Sequence, residues 1–103
     1  MTNSVVYKLN QIKMGGRSIN VASAIVLSAP PKREVRLKTG EVTNLQELLL
    51  GDETGEIKFT VWGEMCDRFS VGDRLDISNA YVTTFRGNNS ISVGKFGKVV
   101  KAI

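Results

Sequence analysis

Trp62, Tyr81 and Phe85 are large rings that strand alternation places on polar faces, and rings so placed can stack on unpaired nucleic-acid bases. In residues 56–62 the pattern alternates strictly. An extended backbone there gathers Ile57, Phe59 and Val61 on one side and turns Lys58, Thr60 and Trp62 to the other. Residues 80–87 repeat the arrangement, with Ala80 and Val82 inward and Tyr81, Thr83 and Phe85 outward. A lone strand aromatic is usually a cap on the core. Three aromatics in phase with Lys58 and Arg86 favour a binding surface, because cations beside stacking rings would meet the phosphates of the same strand.

The charge distribution agrees with that chemistry. Net charge is +4, but it is not spread evenly. Residues 1–40 carry seven basic side chains against the single acidic Glu34, and 81–103 add four more basic ones. Residues 41–80 carry nine acidic side chains against Lys58, Arg68 and Arg74. Basic ends around an acidic middle predict a positive groove with a solvated acidic back, and place Arg36, Lys38 and Arg86 beside Lys58 as phosphate contacts. Thr60, Thr83, Asn88 and Ser92 offer hydrogen bonds along the same faces. Lys95 and Lys98 read as solvated.

Other chemistry lacks its usual parts. Histidine is absent, removing the commonest general base and metal ligand. Cys66 is the only cysteine, which excludes an internal disulfide and a cysteine-based zinc site. Its neighbours Glu64 and Asp67 disfavour a thiolate. Neither a secretory segment nor an apolar run long enough to span a bilayer is present. The expectation is a non-enzymatic protein of the cytoplasm, associated with the nucleoid, with no cofactor, no metal and no membrane partner.

The elements that must position these residues are short strands. Residues 18–27 form the first, with Ile19, Val21, Ile25 and Leu27 on a common face and Ser23 in phase between them. Pro30-Pro31 stops it, since proline cannot donate to a ladder. Residues 32–40 make a basic loop or hairpin tip closing near Lys38-Thr39-Gly40, and 42–50 a second strand. Its Leu48-Leu49-Leu50 run fits strand or helix equally. Residues 51–55 are a turn in which Asp52 bonds amides ahead of it and Gly55 takes a positive φ. Residues 64–69 supply one or two helical turns as a plug, with Met65 and Phe69 apolar. After a turn at 71–73, residues 74–85 are a strand whose inward sets, Leu75 and Ile77 against Ala80 and Val82, disagree in parity. A β-bulge near Ser78-Asn79 resolves the conflict. A hairpin tip at 86–89 leads into a last strand with Ile91 and Val93 inward and Ser90 and Ser92 outward.

Five strands with a plug between the third and fourth describe an all-β OB-fold barrel, whose oligonucleotide face lies on strands two and three between two clamping loops. Residues 1–17 are a lead-in and 18–103 the domain. The segments at 51–63, 71–73 and 79–87 (GDETGEIKFTVWG, VGD and NAYVTTFRG) resemble those of archaeal single-OB single-stranded DNA-binding proteins. They are also similar to those of the human sensor-of-single-stranded-DNA proteins. The resemblance covers roughly residues 5–100 and is sharpest from Gly51 to Gly94. It implies base stacking at Trp62, Tyr81 and Phe85, and a part in DNA replication, repair or recombination alongside protein partners. Two departures weaken the face: Ser92 stands where some relatives carry an aromatic, and Thr43 where relatives often carry an arginine. The residues themselves leave two other readings open, an RNA-binding module and a protein-interaction subunit using the same rings as a hot spot.

Overall fold

Alternation along the chain produces six strands in the computed structural model, which describes residues 6–13, 15–85 and 87–102 apart from the side chains of Phe85, Lys95, Phe96 and Ala102. They are β1 (Ile19–Ser28), β2 (Arg33–Arg36), β3 (Val42–Asp52), β4 (Gly55–Trp62), β5 (Arg74–Phe85) and β6 (Asn88–Ala102). Their order is β1-β5-β6-β4-β3-β2, and β1 also pairs with β3. Five strands therefore close into a barrel, while β2 lies outside the closure as an antiparallel extension of β3. All neighbours run antiparallel except β4 and β6, which are parallel, with Lys58 beside Ser90 and Phe59 beside Ile91. This is the OB-fold arrangement expected from the sequence.

The core collects the predicted inward set of β4 and β5. Phe59, Leu48, Leu50, Leu75, Ala80 and Ile91 are fully buried, and Ile57, Val61 and Ile77 nearly so. The Leu48-Leu49-Leu50 run is strand, with Leu49 turned outward. Segment 6–13 is built into the same core through Leu9 and Ile12. The Leu9 amide donates to Asp52 Oδ2 at 2.9 Å and the Asn10 amide to Thr54 Oγ1 at 3.1 Å.

Register shifts bend the strands at several points, and two bulges among them bear on the predicted faces. The one expected in β5 lies at Asn79, where the pairing with β6 shifts and φ is +57°. A second, in β1, overturns the predicted inward set there. Val21 pairs with Ile77 and Ala24 with Leu75, so one extra residue is accommodated, and Ser23 takes φ +55°. Parity flips at that point. Ala24 and Val26 are buried, Ile25 is half-buried and Leu27 is exposed. Each bulge's amide is captured from the facing strand: Ser23 N–H donates to Asp76 Oδ1 on β5 at 2.9 Å, and Asn79 N–H to Asn20 Oδ1 on β1 at 3.0 Å.

The connections differ from expectation in detail. The β3–β4 turn is a two-residue hairpin in which Asp52 Oδ1 accepts from the amides of Thr54 (2.7 Å) and Gly55 (3.1 Å), as read, but Gly55 does not take a positive φ. The plug is a single 3-10 turn, Gly63–Met65, followed by buried Cys66 and Phe69. It is shorter than predicted because Cys66 returns to extended backbone. Residues 32–40 contain β2 rather than only a loop. No helix among the described residues is long and apolar enough to cross a membrane.

Candidate nucleic-acid interface

The outward residues of β3, β4, β5 and β6 fall into rows that register fixes. Leu49, Lys58, Ser90 and Thr83 are successive neighbours across the sheet, and Glu47 lies opposite Thr60 in the next row. Ser92, paired with Tyr81, continues that second row by donating its hydroxyl to the Thr60 carbonyl at 3.0 Å. Beyond it, Arg33 of β2 faces Leu45 of β3, which faces Trp62 of β4. Trp62 closes β4 at 42% exposure, while Phe59, three residues earlier, has none.

Two adjoining hollows of about 430 and 450 Å³ occupy this surface. Leu45, Glu47 and Lys58 line both, so they form one groove. One end is walled by Pro30 and Pro31 of the β1–β2 connection and by Arg33 of β2. The other holds Thr60, Trp62, Thr83 and Asn88 beside Asn89 and Ser90. Leu45 is 8% exposed although it lies on the outer face, and it gives the groove an apolar floor next to the Trp62 ring. A ring, an apolar floor and flanking cations can stack a base and hold its phosphates.

Of the expected contact residues, Trp62, Lys58, Thr60, Thr83 and Asn88 are brought together here. Tyr81 is 38% exposed but opens into a neighbouring hollow with Arg17, Ser18 and Gly94, two strand spacings from β4 and so roughly 10 Å away. Arg36 and Lys38 are exposed but line neither hollow, standing towards the tip of the β2–β3 arm, where Leu37 N–H donates to Glu41 O at 2.8 Å. Ser92 is corrected: it is 2% exposed, because the parallel neighbour β4 covers it and engages its hydroxyl. The Thr83 hydroxyl is also engaged, 2.8 Å from Ser90 Oγ. The ring of Phe85 and all of Arg86 lie outside the described residues.

Sequence reasoning missed Arg33, Leu45 and Glu47. Glu47 Oε1 accepts from Arg33 Nη2 at 2.9 Å, and its Oε2 lies 3.7 Å from Lys58 Nζ. The acidic middle of the chain is therefore not confined to the back of the barrel. Lys32 pairs with Asp67 at 3.0 Å, and buried Gln46 donates to the Pro30 carbonyl while accepting from the Asp67 amide, both at 2.9 Å. These bonds tie the β1–β2 connection to the plug and fix one wall of the groove. Regular alternation offered a signal for Leu45 and Glu47, since both share the parity of Leu49. Cys66 takes no part: burial, with Asp67 beside it, pushes its thiol up and away from the thiolate.

A family model described as single-stranded DNA binding protein Ssb-like, OB fold, matches residues 15–101. Over 95 residues the chain is 34% identical to the single-stranded DNA binding protein Ssb of Saccharolobus solfataricus. That match covers 92% of this chain and 63% of the relative, so the chain spans less than two thirds of that protein's length. Among solved structures, the second OB-fold domain of replication protein A from Methanococcus maripaludis superposes with a TM-score of 0.77 at 30% identity, covering 94% of each chain. The OB domain of a Thermoplasma acidophilum protein superposes at 0.80 with 21% identity, covering 94% of this chain and 86% of that one, a likeness of fold.

Proposed function

This chain belongs to the Ssb-like OB-fold family of single-stranded DNA binding proteins, and from that membership and the groove we infer that it binds single-stranded DNA with little dependence on base sequence. The observation that carries the reading is Trp62, half exposed at the wall of a groove whose floor is Leu45 and whose flanks hold Lys58 and Arg33. Trp62, Tyr81 and Phe85 act as stacking platforms. Lys58 and Arg33 meet phosphates near the Trp62 ring, Arg86 is assigned the same role, and Arg36 and Lys38 extend the basic track along the β2–β3 arm. Thr60, Thr83 and Asn88 add hydrogen bonds at the rim. The strand passes from the arm over Leu45 and Trp62, then across β6 to Tyr81, where Arg17 prolongs the path.

Stacking is worth about 1–3 kcal/mol per base, so three rings contribute roughly 3–9 kcal/mol. Ordering a flexible strand consumes part of that, and one copy binds with moderate affinity. The protein works by binding, without chemistry of its own, in the cytoplasm at the nucleoid during replication, repair or recombination, where protein partners join it.

Trp62 is the only tryptophan, so its emission reports on the site directly. Saturating, unstructured oligothymidine should quench it substantially, and a duplex of equal length should compete poorly because its bases are already paired and stacked. Competition with a matched RNA oligomer separates the two sugars. Unchanged Trp62 emission alongside binding measured by another signal would move the bases away from this groove.

A further inference from the structure

Glu47 is a carboxylate in the groove proposed to hold a polyanion, the place where simple charge matching would put none. It reaches from β3 between Arg33 on β2 and Lys58 on β4, and both hollows of the groove count Glu47 and Lys58 in their walls. A phosphate is repelled from Glu47, so a strand lying over it must present bases there and keep its backbone towards the cations at the rim. Arg33 engages Oε1 at 2.9 Å, whereas Lys58 Nζ stands 3.7 Å from Oε2, beyond hydrogen-bond distance, so Lys58 leaves that oxygen with lone-pair capacity to spare.

Glu47 can only accept hydrogen bonds and Lys58 can only donate them, its three N–H groups serving a phosphate and a base edge together. Each unpaired base exposes a donor beside an acceptor on its Watson–Crick edge: N6–H and N1 in adenine, N4–H and N3 in cytosine, N1–H and O6 in guanine, N3–H and O4 in thymine. The geometry points to Glu47 and Lys58 as an acceptor–donor pair that takes the Watson–Crick edge of one unpaired base of any identity, a role that rests on the single-stranded DNA binding proposed above. A paired base has already used that edge. The pair therefore selects for unpaired strands without selecting for sequence, which stacking alone does less sharply.

Thymine methylated at N3 loses the donor that Glu47 would accept while keeping its ring, sugar and phosphates. The test compares oligothymidine with an N3-methylthymidine oligomer of the same length, by anisotropy of the labelled strands, on the wild-type protein and on Glu47→Ala. Glu47→Met, which keeps the length of the stem, serves as a second variant, and thermal melts check both folds. Methylation should weaken wild-type binding about tenfold, the worth of one hydrogen bond to a charged group, and weaken binding by the variants about twofold or less. An equal penalty in wild type and variants, or none in wild type, overturns the edge-reading role and leaves the groove's function standing. Failure of wild-type protein to bind unmodified oligothymidine would remove both.

Discussion

Phe59 and Trp62 stand three residues apart on β4 and do opposite work, one filling the barrel and the other facing the groove. Phe59→Ala should open a cavity and cost about 3–5 kcal/mol of stability, a large share of what a domain of this size possesses. Trp62→Ala should leave the melting temperature nearly unchanged and cost about 1–3 kcal/mol of single-strand affinity. Thermal melts and oligomer titrations on the two variants decide it: equal unfolding by both would make the Trp62 ring part of the core. This division was legible in the sequence because alternation is local. Ser92 marks where that legibility stops, since its burial depends on a parallel neighbour that no local pattern announces. Likewise the charges of Arg33 and Glu47 were visible, but which charges meet across a hairpin depends on register. Asp52 carries a prediction in pH. Burial pushes its carboxyl up, but bonds from the Thr54 hydroxyl and from the Leu9, Thr54 and Gly55 amides prevail and hold it below the usual carboxylate range. A carboxyl lowered on folding stabilises the native state above its unfolded value of about 3.9, and loses that contribution as pH falls through the folded value. Asp52→Ala should therefore be less stable than wild type at neutral pH, with the gap closing in acid denaturation curves below about pH 4.

At the scale of elements, the two bulges show why one strand could be read and another could not. In β5, Leu75 and Ile77 conflict in parity with Ala80 and Val82, so an extra residue had to lie between them. In β1, residues 24–27 are apolar without a break, and no parity is excluded. The β5 bulge matters for the site, because it turns Tyr81 outward after Ile77 has pointed in. Asn79 holds φ +57°, a conformation open to Asn and Gly and costly for a β-branched residue. Asn79→Gly should keep both stability and strand binding close to wild type. Asn79→Val should lose on the order of 1–2 kcal/mol of stability and weaken binding through Tyr81. Denaturant melts paired with titrations measure both effects, and a harmless Asn79→Val would mean the bulge is not needed to aim that ring. The arm is simpler to test. Arg36→Gln with Lys38→Gln removes two exposed charges that line neither hollow. If the strand follows the arm, the salt slope should shrink by about 0.7 per lost phosphate contact, with no change in melting.

For the whole molecule, the proposed site spans elements from every part of the barrel, so binding and folding must be linked. Single-stranded DNA at a free concentration 100 times Kd should stabilise the native state by about 2.7 kcal/mol, raising the melting temperature by roughly 10–20 °C. About four neutralised phosphates would also give roughly a 50-fold loss of affinity over a fourfold rise in salt. A flat salt profile would count against the basic groove. The parallel seam between β4 and β6 has a further consequence, and it concerns time. Residue 58 meets its parallel partner only at residue 90, and β1 meets β3 across the whole of the β1–β2 connection and β2, with Ile25 beside Gly51. Contacts so far apart in the chain are slow to find, and barrels dominated by them fold in milliseconds to seconds. Until β6 is in place, Phe59 lacks its neighbour Ile91, and the groove lacks the wall formed by Asn88, Asn89 and Ser90. The surface is therefore competent only once β6, the last strand of the barrel, has docked beside β4.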